Sequence, residues 1–264
     1  VALGIAVALR LAWDPRIMGA ELGPTPVLNW LLFGYGVPAA CFWAAANLLR
    51  VRGEDIAVHI AEALAVLFAA LLVFFQIRHG LNAGDPLRGD SGHVEQGLFA
   101  LTGLGFAYGL RRLDLARSNP VFHVAALIFS GLSGVAAAVG LGLAFNPLLT
   151  DEPIAGGPVL SSLLLAYALP AAVAAFVANE ARKTGPQWYA IAVGGFAAAL
   201  VFGYVSLEVR HLFQGPRLGL AGHPTGDSER VAHSIAWVLL GCAMLGYGLW
   251  RGALAARIAS AVII

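Results

Sequence analysis

"PVLNWLLFGYGVPAA", residues 26–40, carries no charge, and it returns 132 positions later as "PVLSSLLLAYALPAA", residues 158–172. Both copies open on a proline, and both place a second proline (Pro38, Pro170) three residues after a tyrosine (Tyr35, Tyr167). Working outward, residues 1–80 laid over 133–212 without a gap give 23 identities. A chain rich in Ala, Leu and Gly matches itself by chance, but here Pro, Asn, Arg and His align as well. "LAWDP" (11–15) meets "LAFNP" (143–147), and Asn47 and Arg50 meet Asn179 and Arg182. Arg78-His79 in "FFQIRHGL" (74–81) meets Arg210-His211 in "SLEVRHLF" (206–213). After a second loop longer by about seven residues, "AYGLRR" (107–112) meets "GYGLWR" (246–251). Self-similarity at one spacing over this length marks a duplicated structural unit.

The composition says what surrounds that unit. Of 264 residues, 59% are hydrophobic and 12% charged, and mean hydropathy is +0.78. A soluble domain carries about 25% charged residues, so this chain lacks the polar surface water requires, and lipid is its expected solvent. Apolar windows of about 20 residues suffice to span a bilayer as helices. They fall at 1–13 (truncated), 27–49, 56–77, 94–110, 120–145, 159–181, 187–209 and 231–250, with another beginning after Arg257. The expected fold is an all-α integral membrane bundle of about eight transmembrane helices. Its expected division is repeat 1 over 1–118 with its first helix truncated, repeat 2 over 119–251, and the start of a further helix over 252–264. Four helices per repeat return the chain to its starting side, so the repeats are parallel rather than inverted. Because Val1 and Ile264 both lie within apolar stretches, the chain is expected to be a piece of a longer protein.

Proline disfavours helix in the residue before it and is tolerated in a first turn. Asp14-Pro15 and Asn146-Pro147 should therefore stop helices, and Thr25-Pro26 and Gly157-Pro158 should start them. Connections 50–55, 111–118 and 179–186, with the tail after 250, hold nine of the sixteen cations. Counting Lys and Arg alone places these on the cytoplasmic side of a bacterial inner membrane, with loops 78–93 and 210–230 outside. A net charge of +1 offers nucleic acid no footprint. Cys41 and Cys242 lie in apolar runs and read as buried free thiols rather than a disulfide framework.

"DPRIMGAELGPTPVLNWLLFGYGVPA" (14–39), "LEVRHLFQG" (207–215) and "SERVAHSIAW" (228–237) together resemble a family of large bacterial membrane proteins, domain of unknown function 2339. The resemblance covers nearly the whole chain, and "PVLNWLLFGYGVPA" is its most specific part. It implies a longer polytopic protein and no established activity. The family pattern has an acid where Gln76 stands, as at Glu208.

Candidate chemistry gathers at the outer loops. On a helix, i and i+3 share a face, so Glu208 lies beside His211 and Gln76 beside His79. Arg78, His79, Arg210, His211 and Glu208 are the candidate ligand-binding residues, with the guanidinium forks holding a phosphate or carboxylate. The competing reading makes the arginines anchors that pair with loop acids and fix helix depth. No HxxxH or HExxH spacing occurs, so no metal or other cofactor is expected. Asp90-Ser91 and Asp227-Ser228 read as helix caps. Ionisable groups inside the expected spans are Arg10, His59, Glu62 and His123, of which His59 and Glu62 share a face and form a candidate pair. Pro38 and Pro170 with Tyr35 and Tyr167 are hinge candidates, because a proline frees the carbonyl four residues earlier. Gly105/Gly109 and Gly248/Gly252 have the spacing that lets helices approach closely, within the protein or against partner chains.

Three functions fit. The first is a non-catalytic scaffold or subunit of an envelope complex, with the bilayer and protein chains as partners. The second is a transporter or channel for an anionic solute or envelope precursor. The third is an enzyme acting on a lipid-linked or envelope substrate at the outer face.

Overall fold

The computed structural model describes residues 27–87, 91–222 and 224–263, with positions 6, 22, 23, 25 and 89. The helix expected over 1–13, including Arg10, the expected stop at Asp14-Pro15, Pro26, the expected cap at Asp90, and His223 lie outside the described residues.

The described chain is helical, without a strand. Its helices are α1 (Val37–Arg50), α2 (Ile56–Leu81), α3 (His93–Arg117), α4 (Pro120–Val135), α5 (Leu169–Thr184), α6 (Gln187–Gln214), α7 (Asp227–Trp250) and α8 (Leu254–Ile263). Wider π-type turns precede α1 at Leu32–Gly36 and α5 at Leu164–Ala168, and extend α4 over Ala136–Ala144. Local chemistry explains the ends. The Asp55 carboxylate accepts the N–H groups of Ala57 and Val58 and starts α2. Gly215, at φ +75, ends α6. Asn146 ends the wide-turn stretch and caps the helical turn Pro147–Thr150, accepting from Leu148 N–H at 3.0 Å.

Among the described residues, six helices are long and apolar enough to cross a membrane: Leu32–Arg50, Ile56–Leu81, Pro120–Thr150, Leu164–Lys183, Gln187–Gln214 and Asp227–Trp250. The window expected at 94–110 is helical as part of α3 but is not one of the six. Its apolar residues are diluted by four glycines, Gln96 and Thr102, and Arg111, Arg112 and Asp114 follow closely. Large apolar side chains face outward on the spans, such as Leu239 at 64% and Leu249 at 65% exposure on α7. In water each would forfeit roughly 25 cal/mol per Å²; in hydrocarbon none does.

Two compact units are present. One contains α1, α2 and Gly109–Ile128; the other contains Ser91–Tyr108 and the chain from Phe129 onward. In the first, α1 packs along α2, and Leu22, Leu31, Tyr35 and Phe68 form the core. In the second, α5 packs along α6, which also meets α7 and α8. Its core includes Leu141, Leu163, Tyr167, Leu200 and Leu207.

Three sequence expectations are corrected. Pro158 does not open a helix; residues 157–160 form a bend, helix begins at Ser162, and the Ser161 hydroxyl caps Leu163 N–H. Asp227 is not the cap of α7, because Gly226 occupies that position and Asp227 and Glu229 lie in the first turn, where they complement the helix dipole. Cys41 and Cys242 are free but exposed rather than buried. An apolar run on a lipid-facing helix has no water-averse inside, so a thiol faces outward at no cost.

Candidate functional site

The last turn of α2 carries Gln76, Arg78 and His79, and the last turns of α6 carry Glu208, Arg210 and His211. In the first unit Asn29 receives the Leu31 N–H at 3.1 Å and starts the helix that follows. Its side-chain amide also pairs with Gln76 in both directions, at 2.9 and 3.0 Å. Gln76 Nε2 donates further to the Val27 carbonyl at 3.1 Å. His79 Nε2 donates to the Gly23 carbonyl at 3.1 Å, since a carbonyl only accepts, and Nδ1 then faces the Asn29 amide at 3.4 Å. Arg78 Nε donates to the Pro86 carbonyl at 2.6 Å.

The second unit holds the equivalent positions, each 132 residues later. Ser161 starts its helix as Asn29 does, and its hydroxyl donates to the Glu208 carboxylate. That carboxylate also accepts the Val159 N–H at 3.1 Å. Here the direction of one bond is reversed. Gln76 can donate, so it takes the carbonyl of Val27; Glu208 only accepts, so the loop turns an N–H toward it, with Val159 at φ +70. The pairing of Glu208 with His211 is loose, with Nδ1 3.5 Å from the carboxylate.

Arg210 is 3% exposed and its donors are occupied. Nε donates to the Leu218 carbonyl at 2.7 Å, matching Arg78 and Pro86 in the first unit. Nη1 donates to Thr225 and to Glu229 at 3.1 and 2.8 Å. Glu229, 1% exposed, also accepts from Gln214 Nε2 at 2.6 Å. Two buried charges thus meet within a set of hydrogen bonds that joins the end of α6, the following loop and the start of α7. Charge burial is tolerable only under such pairing. Beside it, Asp151 accepts the Gly219 N–H at 2.8 Å and faces Arg217 at 3.2 Å. Glu152 accepts the His93 N–H at 3.0 Å.

At the opposite helix ends, Glu62 is fully buried, and Arg50 and Asn119 donate to its carboxylate. The expected partner His59 is replaced by these two. His123 faces Asp114 at 3.1 Å, beside Arg111. Among the described residues, no group of three His, Cys, Asp or Glu side chains could hold a metal.

Both hinge candidates lie just after π-type turns. Val37 N–H reaches back to the Leu32 carbonyl and Leu169 N–H to Leu164, five residues rather than four. Tyr35 and Tyr167 are buried, and the Tyr167 hydroxyl donates to the Leu141 carbonyl within the wide turns of Ala136–Ala144 at 2.9 Å. Gly97 passes so close that a Cβ there would lie 2.7 Å from the Ala166 carbonyl oxygen, the group Pro170 leaves without its helical donor. Of the glycines singled out in sequence, Gly105 and Gly109 face open space, Gly248 packs against Arg257, and Gly252 turns at φ +62 after α7. Sequence reasoning missed Asn29, Ser161, Gln214 and Thr225; for Asn29 and Ser161 the available signal was a small polar residue inside each copy of an otherwise apolar stretch.

A family model described as "Predicted membrane protein (DUF2339)" matches residues 1–264. The chain is also similar to the fluoride-specific ion channel FluC from two strains of Xanthomonas oryzae pv. oryzae. Identity is 30% over 134 residues in both cases, which is 50% of this chain and 93% and 75% of those proteins. No solved structure matches.

Proposed function

Because the chain belongs to the DUF2339 family of predicted membrane proteins, we propose that it is a non-catalytic, multi-pass scaffold module of a bacterial inner-membrane complex, built from two parallel four-helix repeats. One observation carries this reading: the repeated arginines and the Gln76/Glu208 pair bond to the protein's own loops. Arg78 and Arg210 each hold a carbonyl eight residues ahead. Gln76 and Glu208 each hold the segment that enters the helix preceding their own. A binding arginine keeps donors for its ligand, whereas these fasten a loop to a helix end. The same bonds 132 positions apart support the repeat, and the arginine bias supports loops 50–55, 111–118 and 179–186 on the cytoplasmic side. The open face at Gly105 and Gly109 is then where a partner helix would pack.

The test is Arg210→Ala and His211→Ala, alone and with Arg78→Ala and His79→Ala, in the full-length protein. The scaffold reading expects lost membrane level and early thermal unfolding in detergent. Stable, abundant variants that fail to complement a deletion strain would assign the pairs to a ligand or catalytic site instead.

The similarity to FluC favours a second reading, a channel for a small anion. Proteoliposomes loaded with fluoride and followed with a fluoride electrode decide it. The scaffold reading expects efflux equal to empty liposomes, and selective efflux replaces it with the channel.

A further inference from the structure

At the end of the second unit opposite Arg210, a cavity of about 380 Å³ opens between α5, α6 and the start of α8. Its polar lining is Asn179, Arg182, Gln187 and Tyr247. Arg182 Nη2 donates to the carbonyls of Arg251 and Gly252 at 2.6 and 3.2 Å, which holds the guanidinium in place. Its Nε and Nη1 have no acceptor among the described residues, and the side chains of Asn179, Gln187 and Tyr247 have no hydrogen-bond partner there either. No acid lines the cavity, and Arg251 and Arg257 flank it.

The first unit shows what is missing. Asn47 and Arg50, 132 positions before Asn179 and Arg182, are bonded to one another and to an acid: Arg50 Nη1 donates to Asn47 at 3.1 Å, and Nη2 donates to the buried Glu62 carboxylate. The residue 132 positions after Glu62 is Gly194, and Gly194 lines the cavity. One unit thus fills this place with its own oxyanion, while the other leaves unpaired donors around a void.

The cavity has an apolar continuation. Ile191 and Ala255 also line a groove of about 460 Å³ that continues past Ala198, Phe202, Trp237 and Val262. From Ile191 to Phe202 the groove follows α6 for roughly 16 Å at the helical rise per residue. An oxyanion pocket opening onto an apolar channel is complementary to an amphiphile with a negative head. A basic pocket between membrane helices is also where anionic lipid head groups bind. We propose that this site binds one anionic phospholipid, with its phosphate at Arg182, Asn179, Gln187 and Tyr247 and an acyl chain in the groove beside Trp237. The site is independent of the scaffold and channel readings, since either would sit in the same bilayer.

The test uses the full-length protein in phosphatidylcholine nanodiscs containing a small fraction of phosphatidylglycerol with brominated acyl chains, which quench nearby tryptophan. The Trp237 signal is the difference between the parent and Trp237→Phe. Brominated phosphatidylglycerol should quench it at about one-tenth the mole fraction that brominated phosphatidylcholine needs, the scale of one charge-assisted hydrogen bond. Arg182→Gln and Gln187→Glu should each abolish that preference. Gln187→Glu breaks no internal bond, so it answers even if Arg182→Gln misfolds. Equal quenching by both lipids, or a preference unchanged in Gln187→Glu, overturns the site. Reversal of the quenching by millimolar inorganic phosphate overturns it in favour of a free-anion pocket.

Discussion

Replacing Gln76 by Glu208 between two otherwise equivalent clusters changes which backbone group the loop must offer. Glu208→Gln leaves Val159 N–H facing an amide that must choose between donor and acceptor, and should cost about 1–3 kcal/mol, the penalty of a buried unsatisfied polar group. Thermal unfolding followed by size exclusion in detergent measures it, and an unchanged midpoint would contradict the reversed-bond account. Arg210→Ala strands buried Glu229 and should cost about 3–5 kcal/mol. The double variant Arg210→Met with Glu229→Leu should recover most of that, because an apolar pair is tolerated where a lone charge is not. The Arg-His pairs were legible in sequence as positions of interest, since a cationic pair repeated in an uncharged chain stands out. Their bonding was not, because the acceptors are loop carbonyls and no side-chain pattern announces a carbonyl.

Two helices enter their spans through a π-type turn and a proline, at Leu32–Gly36 with Pro38 and at Leu164–Ala168 with Pro170. The proline is visible in sequence; the widened turn is not, because losing an N–H does not specify how the preceding turn redistributes its bonds. Gly97 tests how tightly that arrangement is held. Its missing Cβ would meet the Ala166 backbone rather than a movable side chain, so Gly97→Ala should lower membrane level and melting temperature. Gly105→Ala and Gly109→Ala point into open space, so both should leave the isolated protein's stability within about 0.5 kcal/mol. If either nevertheless lowers co-purification of a cross-linked neighbour, the glycine face is a partner surface.

Across the whole molecule, the membrane class was readable from composition because lipid solvation removes the need for polar cover. The helix count was harder to read, since α3 combines spanning length with glycines and terminal charges that blur its apolar signal. Arginine counting supports opposed sides for loops 50–55 and 210–230. Single cysteines placed at Glu54 and Gly222 should therefore be labelled by an impermeant maleimide from opposite faces of sealed vesicles; labelling of both from one face would overturn the opposed placement.

The partner of Arg210 lies 19 residues downstream, beyond the loop and inside the next helix. During synthesis, therefore, α6 leaves the ribosome with an arginine whose counter-charge does not yet exist. A solitary arginine opposes insertion by up to about 2.5–3.5 kcal/mol at a span's centre, and less toward its end. The α6–α7 pair should accordingly enter the bilayer as a joint event. A nascent chain released after Gln214 should integrate less completely than one extended to Trp250, and Arg210→Leu should abolish the difference.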